Sequence, residues 1–328
     1  MRRRDFISLL GGAAAAWPLM ARAQQSAMPT IGFLGGASPE LYVDRLTAFR
    51  QGLQEAGYVE GQNAQVEYLW ADGHPDRLPA LATQLVRRQV AVIVAGGGTP
   101  SAWAAKAATA TIPIVFGVAI DPVQLGLVAS LNRPGGNLTG VTNMNVDVGP
   151  KRLELLREVL PSASVISVLV NPTSAAITEP YSRDLEAAAQ TLGLKLDVLH
   201  ASADRDFDPV FATLAQRRAR ALVISPDQFL YSRIEQLALQ TLHHKMPAVA
   251  QNRQFPIAGG LMSYGGSDTE FYRPIGIYTG RILKGEKPAD LPVQRSTKVE
   301  LVINLNTAKV LDLTFPLSLL GRADEVIE

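Results

Sequence analysis

Residues 90–122, VAVIVAGGGTPSAWAAKAATATIPIVFGVAIDP, constrain the fold more than any other stretch. Val90 to Ala95 is a continuous apolar run rich in β-branched residues, the pattern of a strand covered on both faces of a parallel sheet. It stops at Gly96-Gly97-Gly98. Thr99-Pro100-Ser101 then opens an alanine-rich helix, with Thr99 as N-cap and Pro100 at the first helical position, where its missing N–H costs nothing. A second strand, Ile112 to Val118, ends at Ala119-Ile120-Asp121-Pro122. Strand, loop, helix, strand is a βαβ unit, and open parallel sheets bind ligands outside the carboxyl ends of their strands. The glycine-threonine loop and the Asp121 loop are therefore expected side by side on one rim.

The same plan recurs on both sides. Upstream, Thr30 to Leu34 is a strand closed by Gly35-Gly36-Ala37-Ser38-Pro39, and Leu46, Phe49 and Leu53 share one helical face. Ala64 to Trp70 alternates as an outer strand does, and Pro75 to Arg88 reads as a helix. Downstream, Val165 to Val170 is a buried strand ending at Asn171-Pro172-Thr173-Ser174, followed by a helix from Pro180 to Leu192. Ala221 to Ile224 ends at Ser225-Pro226-Asp227-Gln228, with a helix from Ser232 to His244. The reading is α/β, with two doubly wound parallel-sheet lobes joined by a multi-crossing hinge. Residues 29–143 plus 258–296 are assigned to the first lobe and 144–257 plus 297–328 to the second. Facing carboxyl rims enclose a cleft, a common place for a small-molecule site.

The first 23 residues read as an export signal. Arg2-Arg3-Arg4 is a basic start, Phe6 to Met20 is largely apolar, and Ala21-Arg22-Ala23 is a small-residue cleavage site. Arg3-Arg4-Asp5-Phe6-Ile7 also resembles a twin-arginine motif. Removing this segment takes Arg2, Arg3, Arg4, Arg22 and Asp5 from 31 basic and 30 acidic residues, leaving 27 against 29. That balance supplies no basic field for nucleic acid or an anionic membrane. The chain has no cysteine, which excludes disulfides, thiolate metal sites and a cysteine nucleophile. The histidines His74, His200, His243 and His244 lack metal-ligand spacing, and no nucleophile elbow, P-loop lysine or complete dinucleotide fingerprint is present. An enzyme, a metal centre and a cofactor are not expected.

With these elements in place, the chain resembles the substrate-binding proteins of ABC transporters with a type I periplasmic-binding fold, in the family that includes tryptophan- and tyrosine-binding members. The resemblance rests on FRQGLQEAGYVEGQN, IVAGGGTP, IPIVFGVAIDPVQLGLVASLNRPGGNLTGVT, SPDQ, AGGLMSYG, GRILKGEKPADLPV, ELVINLNTAK and RADEVI. It implies no catalytic centre but capture of a small solute between closing lobes and delivery to a membrane permease; the export signal and the lack of cysteine place such a protein in the periplasm, and it is expected to be monomeric or weakly associated. Two departures concern the ligand. Gly35-Gly36-Ala37-Ser38-Pro39 stands where aromatic amino acid-binding members carry an acidic-histidine-proline pattern, and the loop at Asn171 lacks their preceding tyrosine and following glutamate.

Seven residues are expected at the site. Asp227 matches the aspartate of the family's Pro-Thr-Asp-Asn loop and would pair with a ligand ammonium; the competing role is a helix N-cap. Gly98 and Thr99 would offer backbone N–H groups and a hydroxyl to a carboxylate, and Ser38 would do the same after the first strand. Asp121 would face the cleft or start a turn. Asn171 has amide donors and an acceptor for a polar ligand. Tyr264, in a crossing segment, would stack on the ligand or pack the hinge. The ligand class expected is an amino acid or related small carboxylate; a sugar or nucleoside, or a sensing role at a membrane receptor, are the alternatives.

Overall fold

The computed structural model describes residues 28–143 and 145–328, so the export-signal assignment lies outside the described residues. The first lobe opens with β1 (Thr30–Gly35), α1 (Val43–Glu55), β2 (Gln65–Trp70), α2 (Leu78–Arg87), β3 (Val92–Ala95), α3 (Thr99–Ala108), β4 (Ile114–Val118) and β5 (Leu138–Thr142). The second continues with α4 (Gly149–Val159), β6 (Val165–Val170), α5 (Ala175–Leu192), β7 (Lys195–His200), α6 (Phe207–Gln216), β8 (Leu222–Ile224), α7 (Gln228–Ser232), α8 (Ile234–His243), β9 (Ala248–Ala250), α9 (Gln254–Ile257) and β10 (Met262–Gly266). Then follow α10 (Asp268–Leu283), β11 (Gln294–Arg295), β12 (Val299–Asn304), α11 (Leu305–Val310), α12 (Leu317–Leu320) and β13 (Glu325–Ile327).

The strands make two sheets, ordered β11-β5-β4-β3-β1-β2 and β13-β12-β10-β9-β8-β6-β7. Each contains the doubly wound order 2-1-3-4-5 and so has one point where successive crossovers diverge to opposite faces. In the first sheet that point lies between β1 and β3, in the second between β6 and β8. The apolar runs behave as their composition requires: β3, β4, β5 and β8 are buried throughout, whereas alternating β2 is a half-exposed edge.

Single elements complete the sheets, as expected, but one of them on the other side. Residues 262–266, assigned from sequence to the first lobe, form β10, which pairs parallel with β9 and antiparallel with β12 inside the second sheet. The chain returns to the first lobe only at α10, which packs on α1, and leaves it again after β11. Three crossings result, at 143–148, between Gly266 and Asp268, and between Arg295 and Val299.

Three helix starts also differ. Gly98, with φ of 78°, caps α3, and Thr99 is its first helical residue, because the chain turns out of β3 through a left-handed conformation open to glycine. Helix α5 begins at Ala175 and carries Pro180 inside it rather than at its start. The helix expected from Ser232 is two helices, broken at Arg233, and the first of them begins at Gln228.

Candidate functional site

Between the lobes, two cavities meet at Asp227 and Gln228, which line both. The larger, of 310 Å³, is walled by Pro75, Pro100 and Trp103 of the first lobe and by Ile177 and Phe229 of the second. Its polar groups come from the N-terminal turn of α3, at Thr99, and from the loop and first turn leading into α5, at Asn171, Thr173 and Ser174. The smaller, of 70 Å³, is lined by Gly98 and Arg45 from one lobe, by Gln251 and Asn252 from the other, and by Asn143 and Asn145 of the first crossing.

Asp227 takes the capping role that was one of its two sequence readings, and it also lines both cavities. It caps α7, its Oδ1 accepting the N–H of Phe229 at 2.9 Å and of Leu230 at 3.1 Å. Asn171 Nδ2 donates to the same oxygen at 3.1 Å and Ser174 Oγ donates to Oδ2 at 2.6 Å, tying the loops after β6 and β8 together at the sheet's switch point. The side chain is buried, and among the described residues no cation pairs with it. The donors to this carboxylate are all neutral groups, and it lines both cavities.

Thr99 is the second polar group of consequence. It is 4% exposed, and its Oγ1 has no hydrogen-bond partner among the described residues. It stands at the first turn of a ten-residue helix, where backbone N–H groups are unsatisfied by the helix itself. Asn171 is buried and engaged: its Oδ1 accepts from Thr173 N and Oγ1 at 3.0 and 2.8 Å.

The remaining three expected residues are placed elsewhere. Asp121 lines neither cavity; its Oδ1 accepts the Val123 N–H at 2.8 Å, an Asx turn, as an Asp-Pro sequence favours. Tyr264 points into the apolar cluster of the second lobe, because the strand that carries it is paired in that sheet. Ser38 sits at the outer mouth between the lobes with Ser232 and Arg233, and its hydroxyl bonds the exposed Glu40 carboxylate, holding that group below its usual pKa.

Sequence reasoning missed an aromatic cluster on Arg45. The Arg45 guanidinium lies 4.0 Å from the centre of the Tyr231 ring, 5.1 Å from Tyr42 and 5.4 Å from Tyr272, and its Nε donates to Asp268 Oδ1 at 3.2 Å. Burial works against the Arg45 charge, but the Asp268 carboxylate and the three phenols outweigh it, so its pKa is raised well above the usual arginine value. Desolvation pushes the Tyr231 and Tyr272 phenols upward, with the Arg45 charge acting the other way. The only sequence signal was a tyrosine three residues before an arginine in an amphipathic helix, which names no partner.

The model of one family, described as ABC transporter substrate binding protein, matches residues 39–327. A tyrosine-binding protein of Clostridioides difficile (strain R20291) is 28% identical over 270 residues, which cover 81% of this chain and 75% of that protein. Among solved structures, an ABC domain from Streptococcus pneumonia in complex with L-Trp is 25% identical with a TM-score of 0.82, over 92% of this chain and 100% of that one. The ligand-free, open structure of a substrate-binding protein with adhesive properties from Clostridium difficile, also 25% identical and covering 91% of this chain and 99% of that one, gives a TM-score of 0.65. From its matched length and from its two lobes about a cleft, the chain belongs to the family of ABC transporter substrate-binding proteins.

Proposed function

We propose that this chain is the periplasmic solute-binding component of an ABC importer, and that it captures an amino acid with an apolar side chain in the 310 Å³ cavity between its lobes. One observation carries the ligand class. Asp227, a buried carboxylate with no cationic partner among the described residues, and Thr99, a buried hydroxyl with no partner among them, line one cavity together with apolar surface from Pro75, Pro100, Trp103, Ile177 and Phe229. An ammonium would be held at Asp227 by a charge-assisted hydrogen bond. A carboxylate would take the first-turn N–H groups of α3 and the Thr99 hydroxyl, where the helix dipole favours an anion. Trp103, Ile177 and Phe229 would cover the side chain. The names of the relatives, one tyrosine-binding and one holding L-Trp, support the same class.

Members of this family bind and release their substrates rather than transform them. Closure buries the solute and forms the surface a membrane permease meets, so the ligand drives closure only through its greater affinity for the closed form. Residues 1–23 would direct export and be removed, leaving a monomer with no affinity for nucleic acid.

The test is a thermal-shift screen of the chain from Gln24 onward against amino acids, small carboxylates, sugars and nucleosides. An amino acid at a hundred times its Kd should add about 2.7 kcal/mol of stability. Asp227→Asn should then weaken that ligand about tenfold or more, since a hydrogen bond to a charged group contributes roughly 1.5–3 kcal/mol. Asparagine is chosen because it also caps helices well, so the change leaves α7 intact. Stabilisation by sugars or nucleosides alone, or a variant that binds the amino acid unchanged, refutes the clamp.

A further inference from the structure

We infer that Tyr231 and Arg45 form a latch between the lobes, through which the helix that carries Asp227 couples the ligand to closure. The inference deepens the proposed function and rests on its premise that the lobes open and close about the bound solute.

Tyr231 belongs to α7, an element of the second lobe, yet its ring is 3% exposed and packs in the apolar cluster of the first lobe with Phe33, Tyr42 and Phe49. Among the described residues, no other second-lobe residue belongs to the buried part of that cluster. Its hydroxyl donates to the Leu41 carbonyl at 2.7 Å, and its ring lies 4.0 Å below the Arg45 guanidinium. The Arg45 charge itself is secured inside the first lobe, by Asp268 at 3.2 Å and by the rings of Tyr42 and Tyr272. Opening therefore withdraws one side chain, Tyr231, from a socket that is otherwise complete. Nothing on the first-lobe side loses its counter-ion. A contact built this way can engage and release repeatedly, whereas an interlobe ion pair would leave a buried charge uncompensated each time it parted.

The latch and the ligand clamp lie on one rigid turn. Asp227 Oδ1 accepts from Phe229 and Leu230, and the Asp227 carbonyl accepts the Tyr231 N–H at 2.9 Å. A ligand that fixes Asp227 thus fixes the base of α7, and with it the direction in which Tyr231 projects. Conversely, a seated Tyr231 places Asp227 and Gln228 against the first-lobe loop at Gly98. Tyr231 is in this sense a positioning residue: it touches the other lobe, and it acts on the ligand through Asp227.

The absence of cysteine makes the test direct, since labels attach only where cysteines are introduced. Thr83→Cys on α2 and Thr191→Cys on α5 place spin labels at exposed positions of the two lobes. The interlobe distance distribution is then measured with and without L-tryptophan, alongside its Kd, for wild type, Tyr231→Ala, Tyr231→Phe and Arg45→Lys. We expect a closed population in the ligand-free wild type that Tyr231→Ala loses, and a fall in L-tryptophan affinity of about tenfold, matching the fall in the closing equilibrium. Tyr231→Phe, which keeps the ring and loses the Leu41 hydrogen bond, should fall between. The latch is overturned by a ligand-free wild type with no closed population, by variants whose distances match wild type, or by a loss of affinity with unchanged distances, which would make Tyr231 a ligand contact. If Tyr231→Ala does not fold, the two conservative variants carry the measurement. If no amino acid binds the wild type, the amino-acid reading fails, and the ligand-free distances still decide the latch.

Discussion

A hydroxyl shut away from water without a partner costs about 1–3 kcal/mol relative to one that is bonded. Thr99 bears that cost at the mouth of α3, where a serine or threonine that merely capped the helix would have been satisfied by it. Thr99→Val keeps the shape and removes the orphaned group. Chemical denaturation should show the ligand-free variant as stable as wild type or up to about 1 kcal/mol more stable, while calorimetry should show an amino acid binding roughly five- to tenfold more weakly. A variant that loses stability without ligand would mean that the hydroxyl has a structural partner instead. Thr99 and Asp227 were legible in sequence because each follows a buried strand and precedes a helix, and both signals are local. Arg45 and Tyr231 were not, because what gives them meaning is a contact between residues far apart in the chain. Asp121 was read two ways, as a cleft residue or a turn starter, and the turn, whose chemistry is local, is the one the structure displays.

Helices and strands follow the same division. The buried strands β3, β6 and β8 were legible from unbroken apolar runs, and edge strand β2 from alternation. Which sheet receives a strand is a different matter. Residues 262–266 read correctly as a strand and incorrectly as first-lobe, since pairing with β9 and β12 leaves no mark on the strand's own sequence. The turn before α6 shows an element stabilised by its own residues. Asp206 Oδ2 accepts the N–H groups of Ser202 and Ala203 at 2.8 and 2.9 Å, and the Ser202 amide chiefly holds its carboxyl below the ordinary value. A carboxylate whose native pKa is depressed contributes stability that is complete above the unfolded value near 4 and is lost as pH falls from there through the lowered native value. The stability difference between wild type and Asp206→Asn should therefore be largest at neutral pH and shrink progressively as pH falls below the unfolded value near 4, as followed by urea unfolding across that range. A difference that does not change with pH would assign the effect to shape rather than charge.

At the scale of the molecule, neither lobe is one continuous piece of chain. The first lobe needs α10, which lies so close to α1 that a Cβ on Gly52 would come within 1.9 Å of the Arg273 carbonyl oxygen, and one on Gly276 within 2.1 Å of that of Phe49. Backbone meets backbone there, and Ile275, Tyr278 and Ile282 of α10 join the cluster that holds Phe33 and Phe49. A fragment of residues 28–143 contains five of that sheet's six strands but lacks this helix. It should show no cooperative thermal transition by circular dichroism, and a sharp transition would show that α10 is dispensable. The two-lobe plan was visible in sequence because it repeats; the exchange of late segments was visible only as leftover elements too few to make a third domain.

That exchange also sets an order in time. A ribosome releases α1 early, and the helix that covers its glycine face appears only after all of β6 to β10 has been made. Long-range closure of this kind is slow, because the intervening chain must be ordered before the contact rewards it. The lobe that is begun first is completed only after most of the second has been made. During synthesis its aromatic interior, Phe33, Tyr42 and Phe49, stays without the cover of that helix while the second lobe's strands emerge.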